Sequence, residues 1–96
     1  TLDNLLDQEG WREPVDLLKL DVQGAEMLVL QGAERSLPRV RMVLVEVSFR
    51  PLYEGSAVFA DVYAFLRDFG FRMLSMEEAF RGTDGELLQS DVLFSR

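Results

Sequence analysis

Neither cysteine nor histidine occurs among the 96 residues. Without cysteine there is no disulfide framework and no thiolate metal site; without histidine the commonest metal ligand and the commonest general base are both missing. A metal would have to rest on carboxylates alone, and none is expected. Positive charge is scarce as well: 10 Lys and Arg, with Lys19 the single lysine, stand against 17 Asp and Glu. The net charge of -7 and the pI near 4.4 repel nucleic-acid backbones and acidic membrane surfaces, which leaves small molecules and proteins as partners. No charged-then-apolar leader and no apolar run of about 18 residues is present, so nothing marks secretion or a membrane span, and the expected location is cytoplasmic. Tandem repeats, low-complexity stretches and a glycine-rich nucleotide loop are also missing from the sequence.

What is present is the composition of a folded chain. Hydrophobic residues make up 48% and aromatics 10%, too apolar to remain disordered. A chain of this length is at most one domain and buries roughly 65% of its unfolded surface. Its stability is modest unless a partner covers something.

The pattern of elements is βαβαββ behind a short lead-in helix. Thr1 is placed to N-cap that helix, with Leu2, Leu5 and Leu6 turned inward and Gly10 ending it. Residues 15–22 are nearly continuous apolar and read as a parallel strand covered on both faces. A helix is predicted over 24–36, with Ala25, Leu28, Val29, Ala33 and Leu37 near helical spacing and a stop at Pro38. A β-branched run predicts a second strand over 42–48, parallel to the first. After the loop Pro51 to Gly55, the stripe Val58, Phe59, Val62, Phe65, Leu66 and Phe69 predicts a helix over 56–69, closed by Gly70. Strands over 71–76 and 87–94, joined by the turn Gly82-Thr83-Asp84-Gly85, read as an antiparallel pair.

Chemistry concentrates at strand ends. Asp21 closes the first apolar run just before Gly24 and a helix, the position at which open α/β sheets bind ligands. A carboxylate there accepts hydrogen bonds from a substrate or cofactor hydroxyl or ammonium, or else caps the following helix. Gly24 permits close backbone approach to a ligand but is better read as serving the sharp turn. Glu26, in the first helical turn, suits the helix dipole as well as it suits a ligand contact. Glu46 interrupts the second apolar strand, and its carboxylate is costly to desolvate without a partner. It marks a site, or it pairs with Arg41 or Arg50 on a flank. Arg50, Tyr53 and Glu54 form a polar loop suited either to an acceptor substrate or to solvent. Phe59, Phe65, Phe69 and Phe71 belong to the core by spacing, and Asp61, Asp68, Glu77 and Glu78 read as solvated surface.

These residues resemble the FkbM family of S-adenosylmethionine-dependent methyltransferases. The blocks are Thr1-Leu2-Asp3, Lys19-Leu20-Asp21-Val22-Gln23-Gly24-Ala25-Glu26, Leu30-Gln31-Gly32-Ala33, Val45-Glu46-Val47-Ser48-Phe49, Leu52-Tyr53-Glu54-Gly55, Phe69-Gly70-Phe71 and Ser90-Asp91-Val92-Leu93-Phe94, in the family's order. The resemblance implies the second half of a Rossmann-like class I methyltransferase sheet, residues 1–96 being a partial, C-terminal domain: two parallel strands with helices, then an antiparallel hairpin. It implies transfer of a methyl group from S-adenosylmethionine to a hydroxyl of a small molecule or sugar. Asp21 and Glu46 would border the transfer cleft as catalytic residues, with Asp21 orienting or deprotonating the acceptor or holding the cofactor ammonium. Asp21, Gln23 and Gly24 would bind cofactor, and Glu26, Ser48, Arg50 and Tyr53 would contact the acceptor. The family's glycine-rich loop would lie before Thr1, so residues 1–96 alone are expected to be inactive and to bind the cofactor poorly.

Two other classes compete. A receiver-like signalling domain would phosphorylate Asp21, but it needs an earlier acidic pair for magnesium and a later lysine, and Lys19 precedes Asp21. A non-catalytic α/β interaction domain is favoured by the missing cofactor loop. The methyltransferase reading further predicts that the strand over 15–22 has an open edge and that the chain self-associates as a homodimer that joins this strand of each copy or covers the edge with the lead-in helix.

Overall fold

A computed structural model of the chain describes residues 1–21, 25–50 and 58–96, with the side chains of Glu78 and Ala79 excepted. Thr1 Oγ1 accepts a hydrogen bond from the amide of Asn4 at 3.1 Å and so caps α1, Leu2–Glu9, as its hydroxyl predicts. Gly10 ends the helix in the left-handed region at φ 69°. The inward face differs from expectation. Leu2 packs against the core while Leu5 is 52% exposed, and the buried side chain of α1 is Asp3. Its carboxylate accepts hydrogen bonds from the amides of Arg35 and Ser36 at 2.9 and 2.8 Å and from Ser36 Oγ at 2.6 Å. One short polar side chain thus anchors the lead-in helix to a turn 33 residues away.

That anchor also explains why the next helix is short. The predicted helix over 24–36 is reduced to α2, Glu26–Gln31, followed by turns and a short 3-10 segment, Leu37–Arg39. The amide of Arg35 bonds the Asp3 carboxylate, and that of Ser36 is shared between Asp3 and the carbonyl of Ala33 three residues back, a turn and not an α-helical bond. Gly32 sits at the C-cap, where a Cβ atom would lie 3.0 Å from Thr1 Cβ, so only glycine lets α1 approach this closely. Leu28, expected to face inward, is exposed, whereas Leu30 and Ala33 are fully buried.

The strands are β1, Val15–Leu20, β2, Val40–Ser48, β3, Arg72–Arg81, and β4, Leu87–Ser95. β1 pairs β2 in parallel from Val15↔Val40 to Leu20↔Val45, as expected. β4 inserts between β2 and β3, antiparallel to both, giving the order β1-β2-β4-β3. The helix expected over 56–69 is α3, Phe59–Asp68; residues 56 and 57 lie outside the described residues. β3 continues to Arg81, past the predicted end at Met76. The turn after it closes where the sequence places it, with Gly85 at φ 88° and Asp84 Oδ1 accepting the amide of Glu86 at 2.9 Å.

Successive crossovers β1-α2-β2 and β2-α3-β3 run in one direction across the sheet, so a constant hand places both helices on one face. On that face Leu30, Ala33, Val62 and Leu66 meet Val43, Val45, Val47, Val92 and Phe94, all nearly or wholly inaccessible. The ring contacts Phe49–Phe59 and Phe59–Tyr63, both at 5.6 Å between centroids, tie the end of β2 to α3. The other face is uncovered, contrary to the expectation of a first strand buried on both sides: Leu17 is 48% exposed. The overall dimensions of 48 × 27 × 19 Å match a sheet with a single helix layer in the thin direction.

Candidate functional site

The site forms at the carboxyl ends of β1 and β2 because the two strands are parallel and in register. The last paired residues are Leu20 and Val45, and one step further Asp21 comes beside Glu46. Side chains alternate along a strand, so Val45 and Val47 enter the helix-covered core while Glu46 stands on the open face, half-buried. A carboxylate within an apolar strand therefore needs no place in the core. This lessens the cost seen in the sequence without removing it, since the carboxylate is still partly desolvated.

Neighbours of Glu46 come from three directions. Gln89 on β4 donates an Nε2–H hydrogen bond to Glu46 Oε1 at 3.3 Å. Asp91, also on β4, lies directly opposite Glu46, and Glu77 on β3 lies directly opposite Asp91. Glu26, in the first turn of α2 and only 3% exposed, completes the surroundings with Asp21. Burial raises the pKa of the Glu46 carboxyl above its ordinary value, and the negative charges of Asp21, Asp91 and Glu26 push it in the same direction. A carboxylate so placed holds a proton more tightly than usual, which is the property of an acceptor for hydroxyl protons.

The structure brings together Asp21, Glu26 and Glu46. Ser48, at the last position of β2 and 6% exposed, shares their end of the sheet. Arg50 is directed elsewhere: its guanidinium pairs with Glu86 of the hairpin at 3.2 Å, both side chains being well exposed. The flanking ion pair considered for Glu46 is thus replaced by an amide contact from Gln89. The N-cap of α2 is Ala25, not Asp21. Gln23, Gly24 and Tyr53 lie outside the described residues. Among the described residues no group of three or more acidic side chains is disposed to hold a metal ion, and no helix is long and apolar enough to cross a membrane.

From sequence, Glu77 reads as solvated surface, and neither Gln89 nor Asp91 is marked as a site residue. They reach the site only because β4 inserts next to β2, an arrangement of distant segments that a strand-hairpin pattern does not reveal. The one available signal was the polar triplet Gln89-Ser90-Asp91 inside an otherwise apolar strand.

Comparison with known proteins gives the chemistry a family. The chain matches the Methyltransferase FkbM domain over residues 1–73. It is 32% identical over 80 residues to 2-O-methyltransferase NoeI from Sinorhizobium fredii (strain NBRC 101917 / NGR234), an alignment covering 83% of this chain and 31% of that protein. The chain thus spans about a third of the length of this curated relative. No solved structure matches it significantly. The family match covers both strand ends that carry Asp21 and Glu46, and the chain belongs to the FkbM methyltransferase family.

Proposed function

We propose that residues 1–96 supply the acceptor side of an S-adenosylmethionine-dependent O-methyltransferase with a Rossmann-like class I sheet. The observation that carries this reading is the half-buried Glu46 carboxyl at a parallel strand end, with its proton affinity raised and its position held by Gln89. The donor set also fits the cofactor. S-adenosylmethionine carries an ammonium and a sulfonium, and the carboxylates of Asp21, Glu26, Glu46 and Asp91 gather at one end of the sheet. When bound, S-adenosylmethionine supplies an activated methyl group whose bonding pair to carbon stays on sulfur as the new oxygen–carbon bond forms.

With the cofactor bound, Glu46 would take the proton from the acceptor hydroxyl and so leave more charge on that oxygen. Asp21, exposed at the tip of β1, holds the cofactor ammonium. Ser48 and Glu26 orient the acceptor, and Gln89 keeps the Glu46 carboxylate turned toward it. Positioning is the larger part of the work, since the methyl group arrives already activated. The name of the curated relative specifies a 2-oxygen as acceptor, which supports a hydroxyl on a sugar or small molecule here.

Calorimetric titration with S-adenosylmethionine tests the assignment of Asp21 in the polypeptide that carries residues 1–96. Asp21→Asn is expected to weaken binding by about tenfold or more, the loss of one charge-assisted contact. Unchanged affinity together with a lowered melting temperature makes Asp21 a structural residue.

A further inference from the structure

β3 ends the sheet on the side away from β1 and differs from the strand it pairs with. Side chains of β4 alternate between buried and half-buried, whereas every described side chain of β3 is exposed, the large apolar Met73, Leu74, Met76 and Phe80 among them. Register fixes which groups line the free edge. The Phe49 amide bonds the Leu88 carbonyl, so by alternation Val92 and Phe94 turn their backbone groups toward β2. Met76 and Met73 lie directly opposite these two residues, which points their own amides and carbonyls away from β4. Their side chains share the helix-covered face with Val92 and Phe94, where Tyr63 of α3 is exposed with its ring 6.3 Å from that of Phe94. A bulge at Leu74 is the reason that Met73 and Met76, three apart in sequence, fall on one face. Arg72 and Glu77, opposite Ser95 and Asp91, stand on the other.

We infer that β3 pairs antiparallel with β3 of a second copy, about a two-fold axis between Leu74 and Ser75, so that the two sheets become one. This register sets Arg72 opposite Glu77 and Met73 opposite Met76 of the other copy, and by symmetry each pair occurs twice. Both pairs join residues of one face, as directly opposite positions in a sheet must. A slip of one residue either way sets Met73 against Glu77, or Arg72 against Met76, from opposite faces. The bulge meets its own equivalent across the axis, so the two strands keep equal lengths between the methionine pairs. Charge selects a second copy as the occupant. Glu46, Asp91 and Glu77 are direct neighbours across β2, β4 and β3, like charge beside like, and Arg72 of the other copy ends that row with a cation. The methionines meanwhile bury one another on the side of Tyr63.

The chain has no cysteine, so introduced thiols report the contact alone. Met73→Cys and Met76→Cys proteins are oxidised separately and as a mixture, and disulfide-linked dimer is measured. Opposite residues of paired antiparallel strands have Cα atoms about 5.5 Å apart, within disulfide reach, whereas two copies of one position are offset along the strands. The mixture is expected to give about tenfold or more linked dimer than either protein alone. Adding Arg72→Glu or Glu77→Arg to both proteins should lower that yield about tenfold, and adding the two together should restore it. The comparison of mixed and single proteins stands by itself if a charge variant does not fold. Association through β1 does not bring these thiols together and leaves the readout unchanged. Equal yields from the mixture and the single proteins, a yield indifferent to the charge changes, or a double charge variant no better than the single ones overturns the inference.

Discussion

Glu46 on β2 and Asp91 on β4 lie directly opposite each other on the open face of the sheet, carboxylate across from carboxylate. Burial of Glu46, with the charges of Asp21, Asp91 and Glu26, raises its folded-state pKa. A raised carboxyl pKa means that the stability associated with the protonated group is full below the unfolded value and is lost as pH rises through the folded value. Glu46→Gln removes that loss. The variant is expected to melt higher than the parent at neutral pH, and the gap should close as pH falls below the ordinary carboxylate range. Paired melting curves across pH check this; a gap that widens toward acid contradicts the assigned electrostatics.

Asp3 behaves in the opposite sense. Burial works to raise its pKa, but the Ser36 hydroxyl, the amides of Arg35 and Ser36 and the Arg35 guanidinium outweigh it, and the result is a lowered value. Its contribution is therefore present above the unfolded pKa and lost as pH falls through the folded one. Asp3→Ala should cost about 1–3 kcal/mol at neutral pH by leaving the amide of Arg35 and the hydroxyl of Ser36 without their acceptor. Urea unfolding measures it. A loss that persists undiminished in acid, where the parent carboxyl is protonated, points to packing instead.

Arg96 clamps the end of β4 to three other segments. Its guanidinium stacks 4.3 Å from the Phe71 ring centroid and donates to the carbonyls of Leu37 and Phe69, each at 2.6 Å, and of Val40 at 2.9 Å. The planar fork makes all of these at once, which an ammonium cannot. Arg96→Lys is expected to lose about 1–2 kcal/mol, nearly as much as Arg96→Met. Thermal unfolding of the two variants decides it, since full rescue by lysine would mean that charge alone matters.

Among the described residues β1 pairs with β2 on one side and with no strand on the other. A free strand edge invites pairing with another chain. The chain is expected to form a dimer through this edge, with a molar mass by light scattering that rises with concentration. A proline on β1 at a position whose amide points to the open edge, which removes a donor there without breaking the ladder to β2, should abolish that contact. A parent chain that stays monomeric at high concentration counts against the edge as the contact.

The strands and their parallel or antiparallel sense were legible because β-branched runs, Gly10, Pro38 and Gly70 punctuate the chain sharply. Helix extents were less so. Leu28 fits a helical stripe by spacing but faces solvent, because the side of α2 turned inward is that of Glu26 and Leu30. Asp21 and Glu46 stood out as carboxylates interrupting apolar runs. Gln89 and Asp91 did not, because their nearness to Glu46 depends on β4 entering the sheet between β2 and β3. The open face was misread for a related reason: an apolar strand reports that it wants cover on both sides, not that these residues provide it.

Transfer of an isotopically labelled methyl group from S-adenosylmethionine to hydroxyl acceptors, followed across pH in the polypeptide that carries residues 1–96 and in its Glu46→Gln variant, tests the central claim most directly. The account predicts label on an acceptor oxygen, a rate lowered by about 10²-fold or more in the variant, loss of the acidic limb of the pH–rate profile and no fall in melting temperature at neutral pH. Transfer at the parent rate with an unchanged profile in Glu46→Gln would contradict it.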